Sequence, residues 1–157
     1  MIFRTLIACA IALSVMAGCS KDKVTGPVIT STVYLGTLYD SVLATQLAVY
    51  HITYAGTQYQ YTLNSDNTFK ADENIGMGWT SPSAEEGTYA VSSATYTFTP
   101  TVDRHDNPAT HAMVPVDTMR TVYTGTLSTD TLSIANFINI DTRDGQRNLG
   151  TLILKKQ

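Results

Sequence analysis

The sequence predicts an all-β domain built as an antiparallel meander, a small barrel of about eight strands, with a β-sandwich as the competing arrangement. Three observations carry this. Threonine and tyrosine are abundant beyond residue 33, where lysine and glutamate are scarce, and β-branched and aromatic side chains suit a pleated, half-buried surface. Several short segments alternate apolar and polar residues with the period of two that a strand imposes. The links between them are short, which joins neighbouring antiparallel strands, whereas a parallel crossover needs about a dozen residues or more.

Ahead of this domain lies an export signal. Arg4 is the only charged side chain before an apolar run from Thr5 to Gly18. A basic start followed by a stretch of this length fits a cleavable signal, and it is short for a membrane span of about 20 apolar residues. The run closes on Met16-Ala17-Gly18-Cys19. Small residues before the cut suit an extended chain in a peptidase, and a cysteine just after it offers a thiol for acylation. These residues resemble the lipobox of bacterial lipoproteins, with methionine where leucine is usual. The resemblance implies that residues 1–18 are removed and that Cys19 becomes the first residue. It also implies that Cys19 carries fatty acyl chains of the palmitate type. One acyl chain holds a protein only marginally and two or more hold it stably. Ser20 stands where an aspartate would mark inner-membrane retention, so the expected location is the outer membrane of a bacterial cell envelope. Residues 19–32, polar at first and punctuated by Gly26-Pro27, read as the lipidated tether.

Residues 33–157 are then a single domain. Of the two cysteines, Cys9 leaves with the signal. The mature domain therefore has no disulfide and no cysteine-built metal site, and depends on its own core. Ten basic against thirteen acidic side chains, with no basic stripe, give no footprint for nucleic acid.

Strand by strand, Thr57–Leu63 places Tyr59, Tyr61 and Leu63 on one face. Asn64-Ser65-Asp66-Asn67 reads as a turn into Thr68–Ala71. Gly87–Val91 is joined through Ser92-Ser93 to Ala94–Thr99, where Tyr96 and Phe98 share a face, and Pro100 is expected to end that strand. Thr121–Leu127, Thr131–Ala135 and Leu149–Leu154 supply three more. Asp40–Tyr54 admits two readings. Leu43, Leu47, Tyr50 and Tyr54 have helical spacing behind a capping Asp40 or Ser41, while Tyr50, Ile52 and Tyr54 also alternate. The preferred reading is a strand from about Leu47, with a short helix or irregular piece before it.

The succession Tyr61-Thr62-Leu63-Asn64-Ser65-Asp66-Asn67-Thr68-Phe69, Glu86–Val91, Tyr96–Pro100, Gly125-Thr126-Leu127 and Asp130–Ile134 resembles the small lipocalin-like domains of bacterial lipoproteins. The resemblance covers about residues 47 to 155 and departs in one place: Gly36 lies near Tyr34–Leu38 without the tryptophan of a true lipocalin opening. It implies a barrel that holds a small hydrophobic molecule, lined by Tyr59, Tyr61, Tyr89, Tyr96 and Phe98 with Trp79 near the mouth. The alternative is a structural or protein-interaction module of the envelope with no ligand cavity.

Motifs for catalysis are missing: no Gly-x-Ser-x-Gly elbow and no glycine-rich phosphate loop. The expectation is a non-enzyme with no cofactor and no catalytic or metal residues. Asp103 to His111, with His105 and His111, has the composition of an occasional metal site but reads as a solvated loop. Asp141-Thr142-Arg143-Asp144-Gly145 lacks most of a calcium loop and reads as a hairpin turn. His51 reads as half-buried or surface. Gly76–Pro82, carrying Met77 and Trp79, reads either as a contact loop or as a flap that closes the barrel core.

Overall fold

In a computed structural model the described residues are 28–76, 78–107, 112–115, 121–141 and 145–157. Cys19 and His111, the predicted lipidation site and one of the two loop histidines, lie outside them. In chain order the elements are β1 (Ser31–Leu38), α1 (Ser41–Ala48), β2 (Thr57–Asn64), β3 (Thr68–Asn74), β4 (Glu85–Ser92) and β5 (Thr95–Asn107). They continue with β6 (Ala112–Pro115), β7 (Tyr123–Ser128), β8 (Thr131–Ile134), β9 (Ile138–Asp141), β10 (Gly145–Asn148) and β11 (Leu152–Lys156). Eight strands close an antiparallel barrel in the order β1-β2-β3-β4-β5-β7-β8-β11, with β11 returning to β1. Closure removes the free edges that an open sheet exposes. β6 folds back on the far part of β5, and β9–β10 is a hairpin inserted before β11. The all-β, lipocalin-like barrel is thus the observed fold.

Alternation decides which side chains face inward. Along β2, Thr57, Tyr59, Tyr61 and Leu63 are buried while Gln58 is exposed. Around the barrel Tyr59, Tyr61, Phe69, Phe98, Leu132, Ile134, Leu152 and Leu154 are each at most 1% exposed. The rings lock against one another: Phe98 meets Tyr61 and Phe69 edge-on at 5.7 and 5.1 Å and stacks on Tyr123 at 5.1 Å. Burying each such side chain is worth about 1.5–3 kcal/mol, so the interior itself stabilises the barrel.

The seam depends on a glycine. A Cβ at Gly36 would lie 2.2 Å from the Ile153 carbonyl oxygen, so only glycine lets β1 close on β11. The glycine of the incomplete lipocalin opening is therefore structural.

Three expectations need correction. The segment after Asp40 is helical, not a strand from Leu47. The Asp40 carboxylate accepts from Val42 N at 2.9 Å and Leu43 N at 3.1 Å, capping α1, and the chain then turns at His51, which is exposed with φ 59°. The eighth barrel strand is instead β1, beginning at Ser31 within the stretch read as tether. Finally, Pro100 does not end its strand. β5 pairs Gly87 with Pro100 and Glu86 with Val102, leaving Thr101 as the extra residue of a bulge. Gly87 permits it, because a Cβ there would meet the Thr99 carbonyl oxygen at 2.3 Å and Pro100 Cα at 2.9 Å.

The two ends differ. At one, the chain enters β1, and Ser65–Asn67, Ser93–Ala94 and Thr129–Asp130 turn tightly; we call this the tether end. At the distal end stand α1 with its loops, the Gly76–Pro82 loop, the β5–β6 extension and the β9–β10 hairpin.

Candidate functional site

The residues expected to line one ligand chamber fall in three places. Tyr59, Tyr61 and Phe98 are sealed in the core. Tyr89 and Tyr96, partly buried, stack on each other at 5.8 Å at the tether end. Trp79 is 42% exposed on the distal rim. Its loop is tied to β3 by Thr80 N to the Glu73 carbonyl at 2.9 Å and by Glu73 N to Thr80 Oγ1 at 3.1 Å. Asn74 Oδ1 accepts from Gly76 N and Gly78 N at 2.8 and 3.0 Å. The indole thus belongs to the surface and does not close the core.

Inside the distal half the barrel turns polar. Glu85 opens β4 and faces Asp103 on β5 in direct register; they are 2% and 5% exposed. Side chains directly opposite on antiparallel strands sit about 4.5–5.5 Å apart at Cβ. Tyr123 donates a very short hydrogen bond to Glu85 Oε1, and the Tyr61 and Tyr123 hydroxyls are 3.0 Å apart. With the Tyr123 proton committed to the carboxylate, Tyr61 is the donor to Tyr123, so the chain runs Tyr61, Tyr123, Glu85. Glu86 points the other way and pairs with Arg104 at 2.9 Å, and Arg104 also donates to the Ser83 carbonyl at 2.8 Å. Asp103 and His105, expected in a solvated loop, belong to β5, where the bulge carries the strand past Pro100. The His105 Nδ1 is buried and has no hydrogen-bond partner among the described residues. No group of three or more His, Cys, Asp or Glu suited to a metal forms among the described residues. Asp141 pairs with Gly145 in the β9–β10 hairpin, as a turn reading requires.

The distal rim gathers exposed apolar side chains: Tyr39 (58%), Val42, Val49, Tyr50 (74%), Ile52 and Trp79. None of the residues of α1 is buried. The base of this region is nevertheless fixed. Tyr54 packs on Tyr39 at 5.4 Å, and its hydroxyl lies 2.8 Å from Thr57 Oγ1 and 3.4 Å from Asp40 N. The sequence hides this rim because Tyr50, Ile52 and Tyr54 alternate as a strand would, although Asp40 followed by Leu43 and Leu47 carries the helical signal. The inward Glu85 gave a weaker one, since nothing in the sequence sets it apart from Glu86. Compared with protein-family models, curated proteins and solved structures, the chain matches none of them.

Proposed function

We propose that this chain is a non-catalytic, lipid-anchored protein of the bacterial cell envelope, held on a membrane through Cys19. Its barrel serves as a rigid stand that presents the distal rim to another envelope protein. The observation that carries this reading is ring packing: Tyr61, Phe98, Tyr96 and Tyr89 contact one another in turn, and an unburied aromatic surface stands on the rim. Aromatic side chains exposed on a fixed base are what protein interfaces use as anchors. The partner suited to Tyr39, Tyr50 and Trp79 offers apolar pockets and no dense charge. The signal and lipobox support the outer membrane as the location, with the tether end toward the lipid.

Carriage of a small hydrophobic molecule is the second reading, supported by the lipocalin-like barrel. One observation favours it: Tyr89 and Tyr96 face a cavity. Its volume, about 120 Å³, falls below the ~300–1,000 Å³ usual for drug-sized ligands.

Native mass spectrometry of the purified full chain, with and without envelope lipid extract, separates the two. The docking reading expects no retained small-molecule adduct; an adduct lost only on denaturation would overturn it. Photo-crosslinking in cells from position 50 should give one discrete protein adduct that position 129 does not give. Cys19→Ala should release the protein from the membrane fraction.

A further inference from the structure

The tether end carries a cavity that the barrel core does not absorb. It opens between the start of β1 and the β2–β3 and β4–β5 turns, and Thr30, Thr32, Tyr34, Leu63, Ser65, Tyr89 and Tyr96 line it. Its wall is fixed in advance. The Tyr89 hydroxyl donates to the Asn64 carbonyl at 2.8 Å, Tyr89 and Tyr96 stack at an interplanar angle of 24°, and Thr30 N donates to Ser65 Oγ at 3.1 Å. Two exposed carboxylates stand beside these phenols: Asp66 in the turn whose Asn64 carbonyl accepts from Tyr89, and Asp130, whose backbone carbonyl accepts from the N–H of Lys156, the residue opposite Tyr34. Asp66 is oriented by Thr68, whose hydroxyl and backbone N–H donate to it at 2.6 and 3.0 Å. Lys156 pairs with Tyr34 across the seam, shares its face of the sheet and is exposed.

This chemistry selects among ligand classes. Three phenols line the space, the Tyr89 hydroxyl has given its proton to Asn64 and presents only an acceptor, and the two carboxylates add negative charge, so the site favours a cation and repels an anion. Hydroxyl groups and carboxylates disfavour an extended hydrocarbon chain, which would strip their water. At about 120 Å³ the space is smaller than the ~150 Å³ cavity that accepts a benzene ring. The space is of a size for one small head group and not for the chain behind it. The geometry points to a binding site for an alkylammonium group, primary or quaternary, seated among Tyr34, Tyr89 and Tyr96 and balanced by Asp66 and Asp130. Two sources present that chemistry, the head group of a zwitterionic phospholipid and a free soluble amine. The site is independent of any partner at the distal rim.

The test uses the full chain labelled with fluorotyrosine and titrated with tetramethylammonium chloride against sodium chloride at equal ionic strength. Saturable shifts confined to Tyr34, Tyr89 and Tyr96 are expected. Asp66→Asn with Asp130→Asn should weaken binding about three- to tenfold, and Lys156→Gln, which removes a competing cation, should strengthen it. Both sets of substitutions are on exposed side chains, and a thermal melt controls for folding. Choline should bind and its uncharged isostere 3,3-dimethylbutanol should not. Equal binding of the two, or shifts that ignore the carboxylate variants, would overturn the assignment. The acylated chain in vesicles then distinguishes the sources. If tetramethylammonium no longer titrates the site in phosphatidylcholine vesicles but still does in phosphatidylglycerol vesicles, the lipid head group is the occupant. Equal titration in both assigns a soluble amine.

Discussion

The tether end and the distal end are made from the same eight strands and solve opposite problems. At the tether end three short turns hold residues in left-handed conformations, Asn67 (φ 65°), Ser93 (φ 55°) and Thr129 (φ 54°). Its interior tyrosines border a small cavity. At the distal end the connections are long, the rim is apolar, and the interior carries the facing Glu85 and Asp103, with a tyrosine chain ending on Glu85. One end is spent on closing the barrel compactly, and the other is free to vary because closure does not depend on it. Loop length, more than strand content, separates the compactly closed end from the end whose apolar rim stands exposed.

That contrast breaks most readily in the middle, where both ends share one residue. Phe98→Ala should cost about 3–5 kcal/mol, read by urea unfolding. A loss below 1 kcal/mol would mean that the ends are stabilised separately. Tyr123→Phe removes the donor to buried Glu85 and should cost about 1–3 kcal/mol, while the mirror change at the tether end, Tyr96→Phe, should cost less. Thr129 is β-branched in a left-handed turn, a conformation that costs about 1–2 kcal/mol for a non-glycine residue. Thr129→Gly should therefore raise the melting temperature, and a fall would show that the turn is held by contacts its φ does not reveal.

Titration sharpens the same comparison. Burial raises the Tyr34 and Tyr89 phenols above their ordinary range, and Tyr96 with Asp130 or Asp66 pushes the same way. A phenol whose folded pKa is raised contributes stability in full below its unfolded value of about 10, and loses it as pH rises through the folded one. The urea midpoint should fall above that pH, and less so in Tyr34→Phe. Asp66 behaves oppositely: hydrogen bonds from the Thr68 side chain and backbone hold its carboxyl below the usual range, so its contribution is present above that range and is lost only as pH falls through the lowered value. The smallest effect is at the distal rim, where Tyr50→Ser should change stability by no more than about 0.5 kcal/mol while abolishing the crosslink to a partner.

How much of this was legible in the sequence follows from what sequence periodicity encodes. Tyr59, Tyr61, Leu63 and Phe98 were readable as inward because alternation reports the face of a strand directly. Eight strands fit the periodicity only with Val49–Tyr54 among them, whereas the barrel takes β1 in its place. Ser31–Leu38 alternates weakly, because Gly36 occupies an inward position where no side chain fits. Glu85 and Asp103 were not readable, since a buried carboxylate and a solvated one are written with the same letter. What distinguishes them is the register that sets Glu85 against Asp103 and the hydroxyl of Tyr123, 38 residues away from Glu85 in the chain. The division of the aromatic residues among core, cavity and rim is likewise a property of closure.

The closure of β1 between β2 and β11 also has a mechanical consequence. Its eight residues pair in register with β2 from Ser31 to Leu38, and Gln157 N donates to the Val33 carbonyl on the other side. A pull between an anchor ahead of Ser31 and a partner gripping the distal loops runs along the strand axis. The backbone bonds flanking β1 then share the load in shear instead of peeling one at a time. The strand that is least conspicuous in the sequence is the one that would carry tension from the proposed anchor into the domain.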